Sequence, residues 1–266
     1  MGDIINVLKS VASSEFYLLQ KKRRNFDEFQ EYLKVFFQLI FLGDFQHPFL
    51  EIKPGANFII LITSDAGFLG KLNMSVINSA IEFAREEDIF IVVGKQGAEY
   101  FEEIGKKCSF FPGISDDISY EGVEKLRDYI ISEYSTRKAT RAVIVYPHFV
   151  SFAVSDIRQF QLLPCRFLFQ EEAGNQSFDK VLIEPSVKRV VESLVRIWLG
   201  QMIYGIFWES KLSEWSSRVV HLERSSSEIK DFGKKLSFQY FRIIHEISDK
   251  NIREIFASKL AVTKAS

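Results

Sequence analysis

All six prolines, Pro48, Pro54, Pro112, Pro147, Pro164 and Pro185, fall in the middle of the 266-residue chain. Proline fixes φ, removes a backbone donor and breaks helix interiors, so the two ends are where long helices can form. Residues 3–42 contain neither Pro nor Gly, and residues 186–266 contain no Pro and only Gly200, Gly205 and Gly233. At a rise of about 1.5 Å per residue, a first helix of about 40 residues runs about 60 Å and a last one of about 75 exceeds 110 Å. Neither fits inside a compact domain alone. The two ends bury their apolar stripes most economically against each other.

Periodicity gives the same answer. Leu212, Trp215, Val219, Leu222, Ser226, Ile229, Phe232, Leu236, Tyr240, Ile243 and Ile247 advance by three or four with one polar member, a narrow stripe that reads as a coiled-coil seam. Nearer the start of the same segment, Val187, Val190, Val191, Leu194, Val195, Ile197, Trp198, Leu199, Met202, Ile203, Ile206 and Phe207 wrap most of the helix, so several elements must cover it. At the other end Ile4, Leu8, Val11, Leu18, Phe29, Leu33, Phe36 and Ile40 form a weaker stripe, broken by the polar, basic run 20–25.

Between the helical ends the signals change to α/β. Residues 58–64 and 89–94 are continuous apolar runs of the kind found in buried parallel strands, with further strands expected over 141–146 and 156–162. Helices are expected over 72–85, 96–104 and 121–134, and the polar stretch 167–180 reads as an exposed loop. The expected organisation is an N-terminal coiled-coil helix over 1–45, a Rossmann-like α/β domain over 56–166 and a C-terminal coiled-coil helix over 185–262. The fold class is thus α/β with an antiparallel coiled coil of the two ends.

Chemistry is sparse. The charge balance of 34 Lys+Arg against 35 Asp+Glu gives no global field for a polyphosphate, so no nucleic-acid partner is expected. The local knot Lys21-Lys22-Arg23-Arg24 reads equally well as a solvated helix face. Cys108 and Cys165 make neither a disulfide framework nor a zinc cluster and suit a reducing compartment, and His47, His148, His221 and His245 have no paired ligand spacing. Glu86, Glu87 and Asp88, like Asp116 and Asp117, sit at expected element ends, where capping accounts for them. No catalytic constellation, metal site or cofactor is expected. The N-terminus lacks a signal-peptide pattern and no uninterrupted apolar run approaches the roughly 20 residues of a bilayer span, so membrane association is expected only through a partner.

The sharpest local string is Thr63-Ser64-Asp65-Ala66-Gly67-Phe68-Leu69-Gly70, set between an apolar strand and a helix. Backbone N–H groups at such a turn can hold an anion. The phosphate-loop order is absent, however, and Gly67-x-x-Gly70 lacks the third glycine of a dinucleotide fingerprint. A tight strand-to-helix turn with Asp65 satisfying local donors is favoured.

Several strings in order resemble the gamma subunit of F-type rotary ATP synthases, the central stalk of the rotor. Val7-Leu8-Lys9-Ser10-Val11-Ala12-Ser13-Ser14 is similar to the family's first-helix A-M-x-M-V-A-A-x-K pattern. Residues 63–73, from Thr63-Ser64-Asp65 through Gly70-Lys71-Leu72-Asn73, are similar to its T-S-D-R-G-L-C-G-x-L-N, the most specific of the strings. Gly94-Lys95-Gln96-Gly97 with Phe101, Tyr146 with Phe149, Leu162-Leu163-Pro164 and Glu184-Pro185 follow in the family's order. Ser213, Glu214 and Arg218 match S-E-x-x-x-R-M, with Leu222 at a later methionine position, and Leu236, Tyr240, Arg242, Ile252, Glu254 and Ile255 fit the last helix. The chain also departs from the pattern. Ala66 and Leu69 replace Arg and Cys, Phe241-Arg242-Ile243-Ile244-His245 replaces N-R-A-R-Q, and Glu228 replaces Asn. The family's stretch ahead of V-A-A has no counterpart, so the upper shaft is expected to run longer as a single helix.

The resemblance implies a non-catalytic rotor subunit that couples ion flow through a membrane ring to ATP synthesis or hydrolysis. By the same resemblance, Arg242, His245, Glu254 and Ile255 would meet the catalytic ring of alpha- and beta-type subunits, and Glu184 and Pro185 would lie at the foot near the membrane ring. The central domain would dock an epsilon-type stalk subunit, while Ser64, Asp65, Gly67, Gly70, Ser213, Glu214 and Arg218 would be structural. The implied location is the cytoplasmic face of a bacterial inner membrane. Two other readings of the same residues are a coiled-coil scaffold that does not rotate and a stand-alone α/β ligand-binding protein.

Overall fold

The computed structural model describes residues 2–22, 32–33, 36–37, 46–52, 54–137, 139–169 and 184–265. Arg23, Arg24, Phe29, Ile40 and residues 170–180 of the expected loop lie outside the described residues. In chain order the elements are α1 (Gly2–Lys22), β1 (Phe58–Ile62), α2 (Leu72–Phe83), β2 (Ile89–Val93), α3 (Lys95–Glu103), β3 (Cys108–Phe111), α4 (Tyr120–Arg137), β4 (Ala142–Ser151), β5 (Val154–Leu163), a 3-10 turn (Arg166–Phe169) and α5 (Val187–Ala265).

The strands form one sheet in the order β3-β2-β1-β4-β5. β1 pairs in parallel with β2 and β4, β2 with β3, and only β4–β5 is antiparallel. Every residue of β1 is buried, as its unbroken FIILI sequence requires of a central strand covered on both faces. On one face Val76, Ile77 and Ala80 of α2 and Phe101 of α3 pack on Ile59, Leu61, Phe90, Val92 and Val145. On the other, Val123, Leu126 and Ile130 of α4 and Val191, Val195, Leu199 and Ile203 of α5 join a larger core with Phe58, Ile60, Ile62 and Ile144.

Three expectations change. α2 stops at Phe83 rather than 85, because Ala84 turns extended at ψ 147. β3 was not expected: its CSFF sequence is too short to show alternation. β4 and β5 are each 10 residues long and form a hairpin that overruns the expected strands. Pro147 hides this in the sequence, since proline argues against a strand interior. It is tolerated because β1 pairs with β4 only as far as Val145, so no ladder donor is required of Pro147 on that side.

α5 is a single helix of 79 residues, about 118 Å long at 1.5 Å per residue. Its first part is covered on several sides, as its wrapped apolar pattern demands: Leu33, Phe37, Phe49 and Leu50 share its core along with the sheet and α4. At Gly200 a Cβ would sit 2.7 Å from the Tyr120 hydroxyl, so glycine is what lets α4 cross here. By length and composition one window of α5, of mean hydropathy 1.3, is apolar enough to cross a membrane, although 44% of it is buried inside the protein. Glu192 and Arg196 interrupt that stretch, and its apolar residues serve the core described above.

α1 lies antiparallel against α5. Asn6 Oδ1 accepts from Ser226 Oγ at 3.4 Å, and Lys9 pairs with Glu223, so rising numbers on one helix meet falling numbers on the other. The face it buries differs from the expected one. Ala12, Phe16 and Leu19 are buried, whereas Ile4, Leu8, Val11 and Leu18 are exposed. α1 carries two apolar stripes, and the seam takes the one with the small Ala12, which admits close approach to α5. Further along, Leu33 is buried as expected, but Phe37 and not Phe36 points inward.

Candidate functional site

Three regions hold the residues of interest: the join between sheet and shaft, the turn after β1, and the exposed length of α5. At the join, the Ser213 hydroxyl donates to the Pro147 carbonyl at 3.2 Å, tying α5 to β4. Two turns of α5 then carry a buried ionic ladder. Glu214 accepts from Lys211 Nζ at 3.2 Å and from Arg218 at 2.7 Å, and both cations are themselves largely shielded from water. Lys211 reaches back to Asp116 at 2.9 Å and to the Ile114 carbonyl at 3.0 Å, which fastens the loop after β3 to the shaft. The Trp215 ring receives two cations, Arg218 at 4.1 Å and Lys211 at 5.7 Å from its centre. Alongside, His148 of β4 bonds Glu209 of α5, and Phe16 of α1 meets Phe149 and Phe152 of the β4–β5 hairpin at 5.6 and 5.1 Å between ring centres.

Ser213, Glu214 and Arg218 are thus brought together as the family string suggests. Lys211, Asp116, Trp215, His148 and Glu209 act beside them and were not singled out as a group. Lys211 was findable: a lysine flanked by Leu212 and Trp215 on an apolar helix must find a carboxylate to be buried.

In the turn after β1, Asp65 Oδ1 accepts the backbone N–H of Lys95 at 2.7 Å and of Gly113 at 3.0 Å. These donors lie past the carboxyl ends of β2 and β3, where an α/β sheet offers an anion its place. The chain's own carboxylate holds them, and these donors are not the local ones expected of Asp65 in a tight turn but lie on the loops after β2 and β3. Ser64 Oγ donates to the Ala66 carbonyl at 2.7 Å and accepts from Asn73 at 3.1 Å, closing the loop on the start of α2. Gly94 has φ +101, and a Cβ there would stand 2.3 Å from the Thr63 carbonyl oxygen, so this crossing admits only glycine. Gly70 is left-handed at φ +58 beside His221 of α5, whereas Gly67 has open space around it. Phe68 also adopts a positive φ of 64 with its ring 63% exposed, strain that the chain's own packing does not repay.

The free length of α5 is the third place. Its seam residues are buried as far as Leu222 and Ser226, and every described side chain from Asp231 to Ile255 is exposed. Arg242 and Glu246 pair at 3.0 Å along the helix, as do Lys250 and Glu254 at 4.0 Å. Arg242, His245, Glu254 and Ile255 therefore stand on one exposed rod, far from Glu184 and Pro185, which sit exposed just ahead of α5. Thiol chemistry is muted: burial pushes Cys165 up to about 12, and partial burial raises Cys108 above the ordinary thiol range.

A family model described as ATP synthase matches residues 1–262. Among curated relatives, the ATP synthase gamma chain of Chlorobaculum tepidum is 26% identical over 225 residues, covering 79% of this chain and 76% of that one. The ATP synthase gamma chain of Limosilactobacillus fermentum is 29% identical over 216 residues, covering 74% and 70%. In fold, the chain is similar to one in the Tetrahymena thermophila mitochondrial ATP synthase central stalk and c-ring, with TM-score 0.65, 19% identity and coverage of 84% and 99%. A chain of the Euglena gracilis mitochondrial ATP synthase matches with TM-score 0.62 at 16% identity, covering 98% and 95%.

Proposed function

This chain belongs to the ATP synthase gamma family, and on that premise we propose which of its surfaces serve a rotor subunit. It is a non-catalytic central-stalk subunit of the membrane-bound ATP synthase complex. The helical ends, 1–45 and 185–262, form the axle, and residues 56–166 form a collar fixed to it. Arg242, His245, Glu254 and Ile255 turn inside a ring of catalytic alpha- and beta-type subunits. Glu184 and Pro185 belong to the foot beside the membrane ion-translocating ring, and the collar docks an epsilon-type stalk subunit. The complex stands on the cytoplasmic face of a bacterial inner membrane. Ser64, Asp65, Gly67, Gly70, Ser213, Glu214 and Arg218 keep collar and axle in register.

One observation carries this reading: the distal rod exposes large apolar side chains over about two-thirds of its circumference, more than one partner helix covers. Phe232, Leu236, Tyr240, Ile243 and Ile247 continue the seam, and each is more than half exposed. At about 100° per residue, Phe238, Phe241 and Ile252 point away from that seam, Leu236 and Phe238 by about 200°; all three are also exposed. A single partner helix covers one side of such a rod, whereas an annular sheath covers all of it. α1 repeats the pattern with its exposed outer stripe of Ile4, Val7, Leu8, Val11 and Leu18. An asymmetric rod in a ring makes different contacts at each angle, and those differences in contact free energy bias the nucleotide sites around it.

The test is affinity purification from the native source, scored for alpha- and beta-type subunits. The reading expects both with the wild-type chain, and their loss from a Leu236→Asp, Ile243→Asp variant of unchanged melting temperature. A wild-type chain that brings down neither leaves the scaffold reading in its place.

A further inference from the structure

A cavity of about 230 Å³ lies between collar and shaft, beyond the carboxyl ends of β2 and β3. Its floor is apolar. Val93 of β2, Leu126 of α4 and Phe207 of α5 are buried there, and Phe111 and Ile114 pack against the same core. An apolar cavity of about 150 Å³ holds benzene, so this one has room for a single substituted ring. Its wall is fixed in advance. The strap 112–115 along one side is held at the Gly113 N–H by Asp65 at 3.0 Å, and at the Ile114 carbonyl by Lys211 Nζ, also at 3.0 Å. A site formed before its ligand arrives loses little entropy on binding.

Gly122, the third residue of α4, lines the mouth. Glycine weakens a helix, and packing does not require it here: a Cβ at Gly122 would meet nothing nearer than the Ser119 hydroxyl at 3.9 Å. At Gly200, by contrast, the Tyr120 hydroxyl would stand 2.7 Å away. The effect of the missing side chain at Gly122 is an open cavity. The rim selects the class of ligand. Glu121 and Lys125 both line it and pair with each other at 2.7 Å, so the mouth offers an ion no net opposite charge. Ser115 has committed its proton to the Asp117 carbonyl at 2.7 Å and can only accept, whereas Ser119 accepts from the Gly122 N–H at 3.5 Å and keeps its proton to donate. A hydroxyl both donates and accepts and so answers both serines; a carboxylate cannot donate and an ammonium cannot accept.

We propose that this cavity is a binding site for an uncharged single-ring phenol, with the ring on the floor of Leu126 and Phe207 and the hydroxyl toward Ser115 and Ser119. Collar and shaft both contribute to the floor, so the bound ring braces the join that Asp65 and Lys211 already fasten. The inference rests on the cavity alone and stands apart from the rotor reading.

Melting of the full-length purified chain with para-ethylphenol tests it. At about 1 mM the probe should raise the melting temperature by about 2 °C or more. Phenylpropanoate and phenylethylammonium, an anion and a cation of similar size, should need about tenfold more for the same shift. Gly122→Met, which fills the mouth, should melt no lower than wild type and lose the shift. Independently of that variant, nuclear Overhauser contacts from the probe's ring protons to the methyl groups of Val93, Ile114 and Leu126 should place the ring in the wild-type chain. A wild-type chain that shows neither shift nor contacts at about 10 mM probe overturns the proposal. A shift that folded Gly122→Met retains, contacts to other methyl groups only, or charged analogues that bind as well as the phenol overturn it equally.

Discussion

The two halves of α5 carry nearly the same apolar stripe and meet opposite fates. Leu212, Trp215, Val219, Leu222 and Ser226 are buried against α1 and the collar, whereas Phe232, Leu236, Tyr240, Ile243 and Ile247 stand in water. The spacing itself registers the change. From Leu212 to Ile229 the steps run three, four, three, four, three. Beyond it Ile229, Phe232 and Leu236 recur eleven residues later as Tyr240, Ile243 and Ile247, a repeat that does not favour a left-handed supercoil. The paired half is held by its partner. The distal half is held only by its own backbone and by surface pairs such as Arg242–Glu246 and Lys250–Glu254, each worth about 0.3–0.5 kcal/mol. An amphipathic pattern therefore says that a helix will be covered, not that its own chain will cover it.

The largest break in this symmetry comes from the same substitution in each half. Leu222→Asp puts an unpaired charge at a site 2% exposed and should cost about 3 kcal/mol or more in urea unfolding. Leu236→Asp, at 56% exposure, should stay within about 0.5 kcal/mol of wild type. Equal effects would show that the halves are not distinct.

The ionic ladder offers the next contrast. Glu214→Ala strands Arg218 at the join and leaves Lys211 only Asp116 and the Ile114 carbonyl, and should lower stability by about 3 kcal/mol, while Glu246→Ala, which frees an exposed Arg242, should change it by less than about 0.5 kcal/mol. Thermal melts of the two variants side by side decide this. Asp65→Ala, which leaves the Lys95 and Gly113 N–H groups without their acceptor, belongs between them at about 1–2 kcal/mol, since the turn is open to water.

A smaller effect depends on pH. Burial raises Cys165 from the ordinary thiol value to about 12, so the neutral thiol is favoured in the fold. The associated stability is present below the unfolded thiol value and is lost as pH rises toward about 12. Melting temperature measured from pH 9 upward should fall less steeply in Cys165→Ala than in wild type, with the burial of Tyr134 pushing its phenol in the same direction. Smallest of all, the hydrogen bond and charge of Lys9 lower the Glu223 carboxyl. That pair is formed above the ordinary carboxylate range and is lost as pH falls through the depressed value. Lys9→Ala should slightly flatten the acid limb of the melting profile.

Much of this was legible in the sequence, and the gaps have physical causes. The proline-free ends, the buried β1 and β2 runs and the continuous stripe on α5 announce the architecture. The limit of burial near Ser226 does not appear there, because it depends on where α1 meets α5. The inward face of α1 is hidden because Ile4, Leu8 and Val11 outweigh Ala12 on any hydrophobicity count, although a small residue is what close helix packing selects. β3 escaped notice for want of length, and the reach of β4 was hidden by Pro147. At the join, Ser213, Glu214 and Arg218 were visible as a string, but Asp116, His148 and Glu209 come from distant segments, and only the fold puts them beside Lys211 and β4.

Amide hydrogen exchange along α5, measured on the free chain and on the intact complex, tests the central claim most directly. The account predicts strong protection over residues 208–226 in both, and over 230–255 rapid exchange in the free chain that becomes slow in the complex. Distal amides already protected in the free chain, or still exchanging fast within the complex, would contradict it.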